Sequence, residues 1–174
     1  MVSIWTSSDE KFAYTFLHSQ LRFAIILTKI QQKYFNMWHL SEVPAGAVVV
    51  CEIFHLFEHT GIYVGEGQIV ELQGSGLVRA VSINRFFDNR SGKHLLVACD
   101  AKGSILLSEG CAERAIQQIF TVQDYDLIHN NCHRFTQHCV TGRNLPITSF
   151  FDLKTELARF WRTDIQWLGV DLHR

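Results

Sequence analysis

The amino-acid sequence predicts an α+β fold in a single domain, 1–174, and three observations support this prediction. The chain has 174 residues, which suits one domain of ordinary size. Its apolar fraction of 47% and aromatic fraction of 12% are large enough to fill a hydrophobic core. Helical spacing of apolar residues comes first, a strand-rich block follows, and helical spacing then returns, which is an order typical of α+β proteins.

The central block predicts an antiparallel sheet. Before it, residues 10–38 follow helical spacing, and Pro44 and Gly46 break the connection to the sheet. Glycines at 65 and 67 predict a tight turn between two neighbouring strands. The predicted strands are Ala47–Phe54, His59–Val64, Gln68–Leu72, Leu77–Val81 and His94–Cys99. Their short connections predict a meander.

Helical spacing returns in the C-terminal half. The predicted helices are Glu109–Val122, about Asn131 to Val140, and about Phe150–Arg162. Gly142 suits the stop just after the second of these helices. The expected parts of the domain are a helical N-terminal extension, 1–40, a core, 41–145, and a C-terminal helical segment, 146–174.

Composition excludes several classes of protein. The net charge of −1 gives no reason to expect a surface that binds nucleic acid. The five cysteines are odd in number and include no CxxC pair, so a reducing compartment is expected rather than a disulfide framework. The sequence has neither a secretory signal pattern nor the run of roughly 18 apolar residues that spans a membrane. We expect a cytoplasmic or peripheral membrane protein without a metal or cofactor, with signal-independent export left open.

Cys132 is the strongest candidate for chemistry. It lies in the run NNCHRF, where Asn131 suits the N-cap of a helix that begins at the cysteine. A thiol in the first turn of a helix faces unpaired N–H groups and the positive end of the helix dipole, so its pKa should fall. The resulting thiolate is the nucleophilic form of cysteine, and the backbone N–H of Cys132 could stabilise an oxyanion.

His59 and Glu71 are the candidate partners of this thiol. Gly61, Tyr63 and Gly65 share a strand face with His59, and we expect the glycines to make room for a helix close to the imidazole. The predicted hairpin brings Glu71 roughly opposite the start of that strand. A carboxylate in that position can fix the imidazole tautomer and stabilise its charged form.

Simpler structural interpretations of these residues stay open. A cysteine at a helix start is often a small buried residue, and a histidine on a strand is often a structural hydrogen-bonding group. Taken alone, Glu71 favours a solvent-facing position, and Phe57, Tyr63 and Phe135 are most simply core residues. A metal site is a further alternative, but the spacing fits no standard zinc pattern. Its candidate ligands are His129, Cys132, His133, His138 and Cys139.

Two stretches of the sequence resemble the lecithin–retinol acyltransferase-like family. The runs PAGAVVVCEIF and HTGIYVGEGQIVEL resemble its strand block, in which a catalytic histidine begins an H-x-x-I-Y-V-G strand. The run YDLIHNNCHRFTQHCVTG resembles its N-C-E-H-F segment, and AERAIQQIF resembles the helix that precedes it. The resemblance covers roughly residues 44–142. The two motifs occur in the family's order and at a suitable separation, which makes them more specific together than alone.

The resemblance implies a fold and a set of roles. The family has a circularly permuted papain-like fold, shared with NlpC-type peptidases, whose antiparallel sheet packs against the helix that carries the cysteine. Cys132 would be the nucleophile, His59 the base, and Glu71 would take the third position, where well-known animal members have a second histidine. The segment departs from the family pattern, because His133 replaces its acid and Arg134 its histidine.

The leading functional hypothesis is cysteine-dependent acyl transfer on lipid esters through a thioester on Cys132, as in a phospholipase A or an acyltransferase. The alternatives are an NlpC-type cysteine peptidase or amidase acting on peptidoglycan peptides, such as a bacterial toxin effector, and an inactive lipid- or protein-binding module. The expected partner is a phospholipid or other acyl lipid, and the oligomeric state is left open. The candidate substrate-binding or oxyanion residues are Tyr63, Asn131 and Phe57.

Peripheral membrane contact is a further expectation. The apolar segment 12–27 and an aromatic tail could present an apolar surface to lipid, or they could merely cover the sheet. The tail comprises Phe150, Phe151, Phe160, Trp161 and Trp167.

Overall fold

A computed structural model describes residues 37–53, 57–88, 90 and 94–172. The chain divides into two compact units, 1–37 and 38–174, and all described residues except Met37 lie in the second. The apolar segment 12–27 and most of the predicted N-terminal extension, 1–40, therefore lie outside the described residues. Trp38–His39 forms a short strand rather than the end of the predicted helix 10–38.

In the described part of the chain, the second unit contains a seven-stranded sheet and four α-helices, which confirms the α+β class. The strands are β1 (Trp38–His39), β2 (Val48–Ile53), β3 (Phe57–Gly65), β4 (Gln68–Leu72), β5 (Val78–Ser82), β6 (Leu95–Cys99) and β7 (Gln166–Asp171). The helices are α1 (Ile83–Phe86), α2 (Cys111–Gln117), α3 (Cys132–Thr141) and α4 (Phe150–Trp161), and a 3₁₀ helix spans Leu40–Glu42.

The sheet has the strand order β1-β7-β6-β2-β3-β4-β5. All neighbouring strands are antiparallel except β1 and β7, which are parallel. The predicted meander is confirmed for β2 to β5. Its central turn has positive φ angles at Gly65 and Gly67 (95° and 68°), which glycine adopts without steric cost, and at Glu66 between them (49°).

Alternate residues of the strands face two different cores. Val48, Ile62 and Val70 pack with helices α2, α3 and α4 on one face of the sheet. Val49 and Ile69 pack with Phe86 of α1 on the other face. This alternation follows from the two-residue period of a strand. The two neighbours of each core residue in a strand therefore lie on the face of the sheet opposite to that residue.

Two regions differ from the sequence prediction. The helix expected over 109–122 is shorter, because Phe120 adopts a left-handed φ of 70° and its N–H donates to the carbonyl oxygen of Val78 on β5 at 2.9 Å. The C-terminal segment, 146–174, contains not only the predicted helix but also β7, which pairs with β6 and β1. Among the described residues, no helix is long and apolar enough to cross a membrane.

Candidate active site

Asn131 places Cys132 in the first turn of α3. Its side-chain Oδ1 accepts hydrogen bonds from the backbone N–H groups of His133 and Arg134, both at 3.0 Å, so the predicted N-cap is confirmed. Its Nδ2 donates to the carbonyl oxygens of Leu127 at 2.9 Å and Ile147 at 3.4 Å. Both ends of the amide are therefore occupied, and Asn131 acts as a helix cap rather than as the oxyanion donor that the sequence suggested.

The backbone N–H of Cys132 is left for another partner. The N-cap side chain satisfies the next two N–H groups of α3, and no described residue accepts from the N–H of Cys132. An N–H group at a helix N-terminus that lacks an acceptor is suited to a negatively charged oxygen.

The start of α3 lies beside the first half of β3. The Thr60 hydroxyl donates to the carbonyl oxygen of Cys132 at 3.2 Å, which fixes the helix start next to His59. His59 itself is 4% exposed, and its ring lies 5.0 Å from that of Phe86 between ring centroids. The imidazole and the Cys132 thiol also influence each other electrostatically, since each shifts the pKa of the other toward its charged form.

Gly61 has a different role from the one expected. A Cβ at this position would lie 2.7 Å from Ile69 Cγ2 and 2.9 Å from the Val70 carbonyl oxygen, with the Phe86 ring at 3.2 Å. Its missing side chain therefore makes room for β4 and for Phe86 of α1, not for the helix that carries Cys132. The space beside Gly65 contains no atom within 4 Å of such a Cβ among the described residues, so that glycine serves the turn.

Glu71 holds the other side of the imidazole. Its Oε2 lies 2.6 Å from His59 Nε2, and the side chain is 0% exposed, which excludes the solvent-facing interpretation. Since Nε2 is bound to the carboxylate, Nδ1 is the ring nitrogen left for a proton transfer with Cys132. The sequence correctly placed Glu71 opposite the start of β3.

Two arginines that the sequence analysis missed complete the environment of this carboxylate. Arg79 donates from Nε and Nη2 to Glu71 Oε1 at 2.9 and 2.7 Å, and Arg90 donates from Nη2 to Oε2 at 3.2 Å. Arg79 lies opposite Glu71 in the register of β4 and β5, so the predicted meander, with strands at 68–72 and 77–81, contained a signal for it. Arg90 follows α1, and no local pattern indicates its contact.

The electrostatics of the cluster favour three charged groups. Burial alone would raise the pKa of Cys132, but the charge of His59 and hydrogen bonds from His133 and His59 outweigh it and hold that pKa well below its usual value. Burial would lower the pKa of His59, yet Cys132 and Glu71 raise it. Burial would also raise the pKa of Glu71, but His59, Arg79 and Arg90 lower it to about 2. The arrangement therefore favours a thiolate, an imidazolium and a carboxylate.

The pKa values of the other four cysteines are shifted in the opposite direction from that of Cys132. All five cysteines are free, and all are buried. Burial raises the pKa of Cys51 and Cys111 to about 12 and that of Cys99 to about 11, and it raises the pKa of Cys139 as well. Cys132 is thus the single thiol suited to nucleophilic chemistry near neutral pH.

The remaining candidates from the sequence lie elsewhere. The Tyr63 hydroxyl accepts from the backbone N–H of Gly67 at 3.2 Å, which places it at the hairpin turn rather than at Cys132. The side chain of Phe57 lies outside the described residues, and Phe135 is in the core as expected.

The candidate metal ligands are dispersed. His129 pairs with Asp126, and Cys139 is buried beside Gln118. In the part of the chain that the structure describes, no three His, Cys, Asp or Glu side chains are arranged to hold a metal ion.

The fold and site define an α+β protein in which a thiol at a helix N-terminus meets a buried histidine–glutamate pair. The family model of lecithin retinol acyltransferase matches residues 41–145, and the chain belongs to this family. Membership implies acyltransferase- or phospholipase-like activity in general and a lipid substrate. A comparison with curated proteins finds no match.

Proposed function

We propose that this protein is a cysteine-dependent acyl-transfer enzyme that acts on lipid esters through a thioester on Cys132. The observation that carries the proposal is a thiol whose pKa is lowered by the charge of His59, a histidine whose Nε2 is held by the buried Glu71. The arrangement supplies a nucleophile, a proton carrier and an orienting carboxylate in one cluster.

In the proposed first half-reaction, Cys132 Sγ attacks the carbonyl carbon of an ester. The carbonyl oxygen becomes an oxyanion, which accepts a hydrogen bond from the backbone N–H of Cys132. His59 then donates its Nδ1 proton to the departing alcohol oxygen as the C–O bond breaks. A thioester remains on Cys132, and His59 is left neutral.

In the second half-reaction, His59 takes a proton from water or from an acceptor amine or alcohol as that group attacks the thioester carbonyl. The C–S bond breaks, and the thiolate and imidazolium are restored. Water gives a phospholipase, whereas an amine or alcohol gives an acyltransferase. Glu71 stays ionised throughout and holds the imidazole orientation, because its pKa of about 2 lies far below neutral pH.

The order of the three residues along the chain supports a circularly permuted papain-like fold. His59 and Glu71 belong to the sheet and precede Cys132, which begins a helix packed on that sheet. Because NlpC-type peptidases share this type of fold, peptidoglycan cleavage is the activity against which the proposal should be tested.

A lipid substrate is supported by the segment that leads into Cys132. Leu127 and Ile128 are 76% and 58% exposed, and they sit on a turn closed by paired backbone hydrogen bonds between Asp126 and Asn130 at 3.0 Å. The turn presents these apolar side chains a few residues before the nucleophile. In the proposed aromatic tail, Phe151 is 75% exposed, whereas Phe150, Trp161 and Trp167 pack against the core.

The central experiment compares Cys132→Ala with Cys139→Ala, a matched control on the buried side of the same helix. Purified proteins are incubated with phosphatidylcholine vesicles and, separately, with peptidoglycan. We expect wild type and Cys139→Ala to release fatty acid or form an acyl adduct visible by intact mass, and Cys132→Ala to do neither. Unchanged release by Cys132→Ala, or cleavage of peptidoglycan alone, contradicts the proposal.

A second experiment separates chemistry from lipid contact. Ile128→Asp places a charge on this turn. Because the Ile128 side chain faces solvent, the fold should tolerate the substitution. We expect slower hydrolysis of vesicle phospholipid and unchanged hydrolysis of a soluble short-chain ester. Equal loss on both substrates would show that the turn affects the reaction rather than lipid contact.

A further inference from the structure

A second imidazole lies at the thiol, and the mechanism above does not use it. His133 follows Cys132 in the chain, and its Nδ1 lies 3.9 Å from Cys132 Sγ and 3.2 Å from Thr60 Oγ1. The residue is 8% exposed, and its ring packs on Phe150 at 5.7 Å between centroids. The side chain is therefore fixed by packing on one side and by a hydroxyl on the other.

The hydroxyl protons decide which form of His133 fits this environment. The Thr136 hydroxyl donates to Thr60 Oγ1 at 3.0 Å, and Thr60 donates to the Cys132 carbonyl oxygen at 3.2 Å. A threonine hydroxyl has one proton and two lone pairs, so Thr60 has no proton left for the imidazole. His133 must therefore donate from Nδ1–H. The same N–H lies within hydrogen-bonding distance of the thiol sulfur.

We propose that His133 is a positioning residue that donates a second hydrogen bond to the Cys132 thiolate, so that the nucleophile is held between two imidazoles. The corresponding position of the family segment N-C-E-H-F is an acid, which could not donate in its ionised form, so this donor is a property of the present chain. The inference rests on the proposed role of Cys132 as the nucleophile.

The proposal assigns the two histidines different tasks. His59 gives up its proton to the leaving alcohol, whereas His133 keeps its Nδ1 proton throughout. His133 is then a donor to the sulfur at every stage, including the departure of the thiolate from the thioester, and stabilising a leaving thiolate speeds its departure.

Among the described residues, three ionisable groups that act on the site have displaced pKa values that lie outside the pH range of the test. Burial raises the pKa of Cys51 and of Tyr125 to about 12, and the pKa of Glu71 is lowered to about 2, so these groups keep one form between pH 4 and pH 9. The groups that surround Cys132, His59 and His133 are Cys51 from β2, Glu71 from β4, Arg90 after α1, Tyr125 before α3 and Lys154 of α4, whose Nζ lies over the Phe150 ring.

The test measures the pKa of the thiol from the rate of iodoacetamide alkylation between pH 4 and pH 9, with Cys132→Ser as the blank. His133→Leu removes the donor, and His133→Asn retains an N–H near the position of Nδ1. We expect His133→Asn to match the wild-type profile. For His133→Leu we expect the profile to move up by about one pH unit, with about tenfold slower alkylation on its acid side.

The outcomes are distinguishable. A wild-type protein whose Cys132 does not react below pH 7 would overturn the proposed function as well as this inference. If wild-type Cys132 reacts below pH 7 and His133→Leu has the same pH profile of alkylation, only the inference is overturned. An equal shift of the profile in His133→Leu and His133→Asn also overturns only the inference. If His133→Leu fails to fold by circular dichroism, Thr60→Val and Thr60→Ser replace it. Thr60→Val removes the hydroxyl that contacts His133 Nδ1, so the pKa of the Cys132 thiol should rise, whereas Thr60→Ser retains the hydroxyl. Equal alkylation profiles in these two variants would overturn the inference.

Discussion

Glu71 should make a pH-dependent contribution to stability, because its carboxylate is fully buried among three cationic partners. It contacts His59, Arg79 and Arg90 and is 0% exposed. Burial opposes its ionisation, but these partners lower its pKa from 4.5 to about 2. A fall of this size corresponds to about 3 kcal/mol of folding free energy linked to the ionised carboxylate.

The sign of the effect follows from the lowered pKa. The contribution is fully present above the pKa of an unfolded glutamate, about 4.3, and it is lost as the pH falls toward 2. Glu71→Gln removes it at every pH and leaves the cationic partners without a counter-charge. We therefore expect the variant to lose about 3 kcal/mol or more at pH 7, and the difference from wild type to shrink to about 1 kcal/mol near pH 3.

Urea denaturation followed by circular dichroism measures the free energy of unfolding at pH 7, 5 and 3. The matched control is Glu66→Gln, which changes an exposed carboxylate at the turn between β3 and β4 and should match wild type within about 0.5 kcal/mol. A difference between wild type and Glu71→Gln that stays constant from pH 7 to pH 3 would refute the reasoning, as would equal stability at pH 7.

Three further substitutions test the site and its support. His59→Ala removes the largest favourable influence on the Cys132 pKa, so alkylation of Cys132 at pH 6 should slow at least about tenfold, and an unchanged rate would count against the ion pair. Asn131→Ala should lower the free energy of unfolding by about 1 kcal/mol in thermal denaturation, most of which serine should restore. Gly61→Ala should cost about 1–3 kcal/mol through overpacking, whereas Gly74→Ala, with no neighbour within 4 Å of its Cβ, should cost far less; equal losses would contradict the close packing.

Local signals in the sequence were sufficient for the parts of the fold that depend on neighbouring residues. The glycines of the β3–β4 turn and the alternating apolar residues predicted the hairpin, and that hairpin already implied the approach of Glu71 to His59. Asn131 predicted the start of α3 and hence the position of Cys132 in its first turn. The catalytic roles of these residues stay predictions.

The missed features depend on contacts between distant parts of the chain. Arg90 reaches Glu71 from 19 positions away, and no periodicity encodes such a pair. The early end of α2 is caused by the attachment of Phe120 to β5, a tertiary hydrogen bond that overrides local helix propensity. The element that packs against Gly61 was predicted wrongly, because the presence of a glycine does not reveal which neighbour occupies the space left by its missing side chain.

The position of β7 has a consequence for how the protein is made. β7 lies between β6 and β1, so a strand that is synthesised after the six other described strands fills the gap between two of them. Until it emerges from the ribosome, β6, with the sequence LLVAC, has one unpaired apolar edge. Such an edge readily pairs with other chains. Prematurely terminated products that lack β7 are therefore expected to aggregate, which makes β7 a determinant of soluble yield.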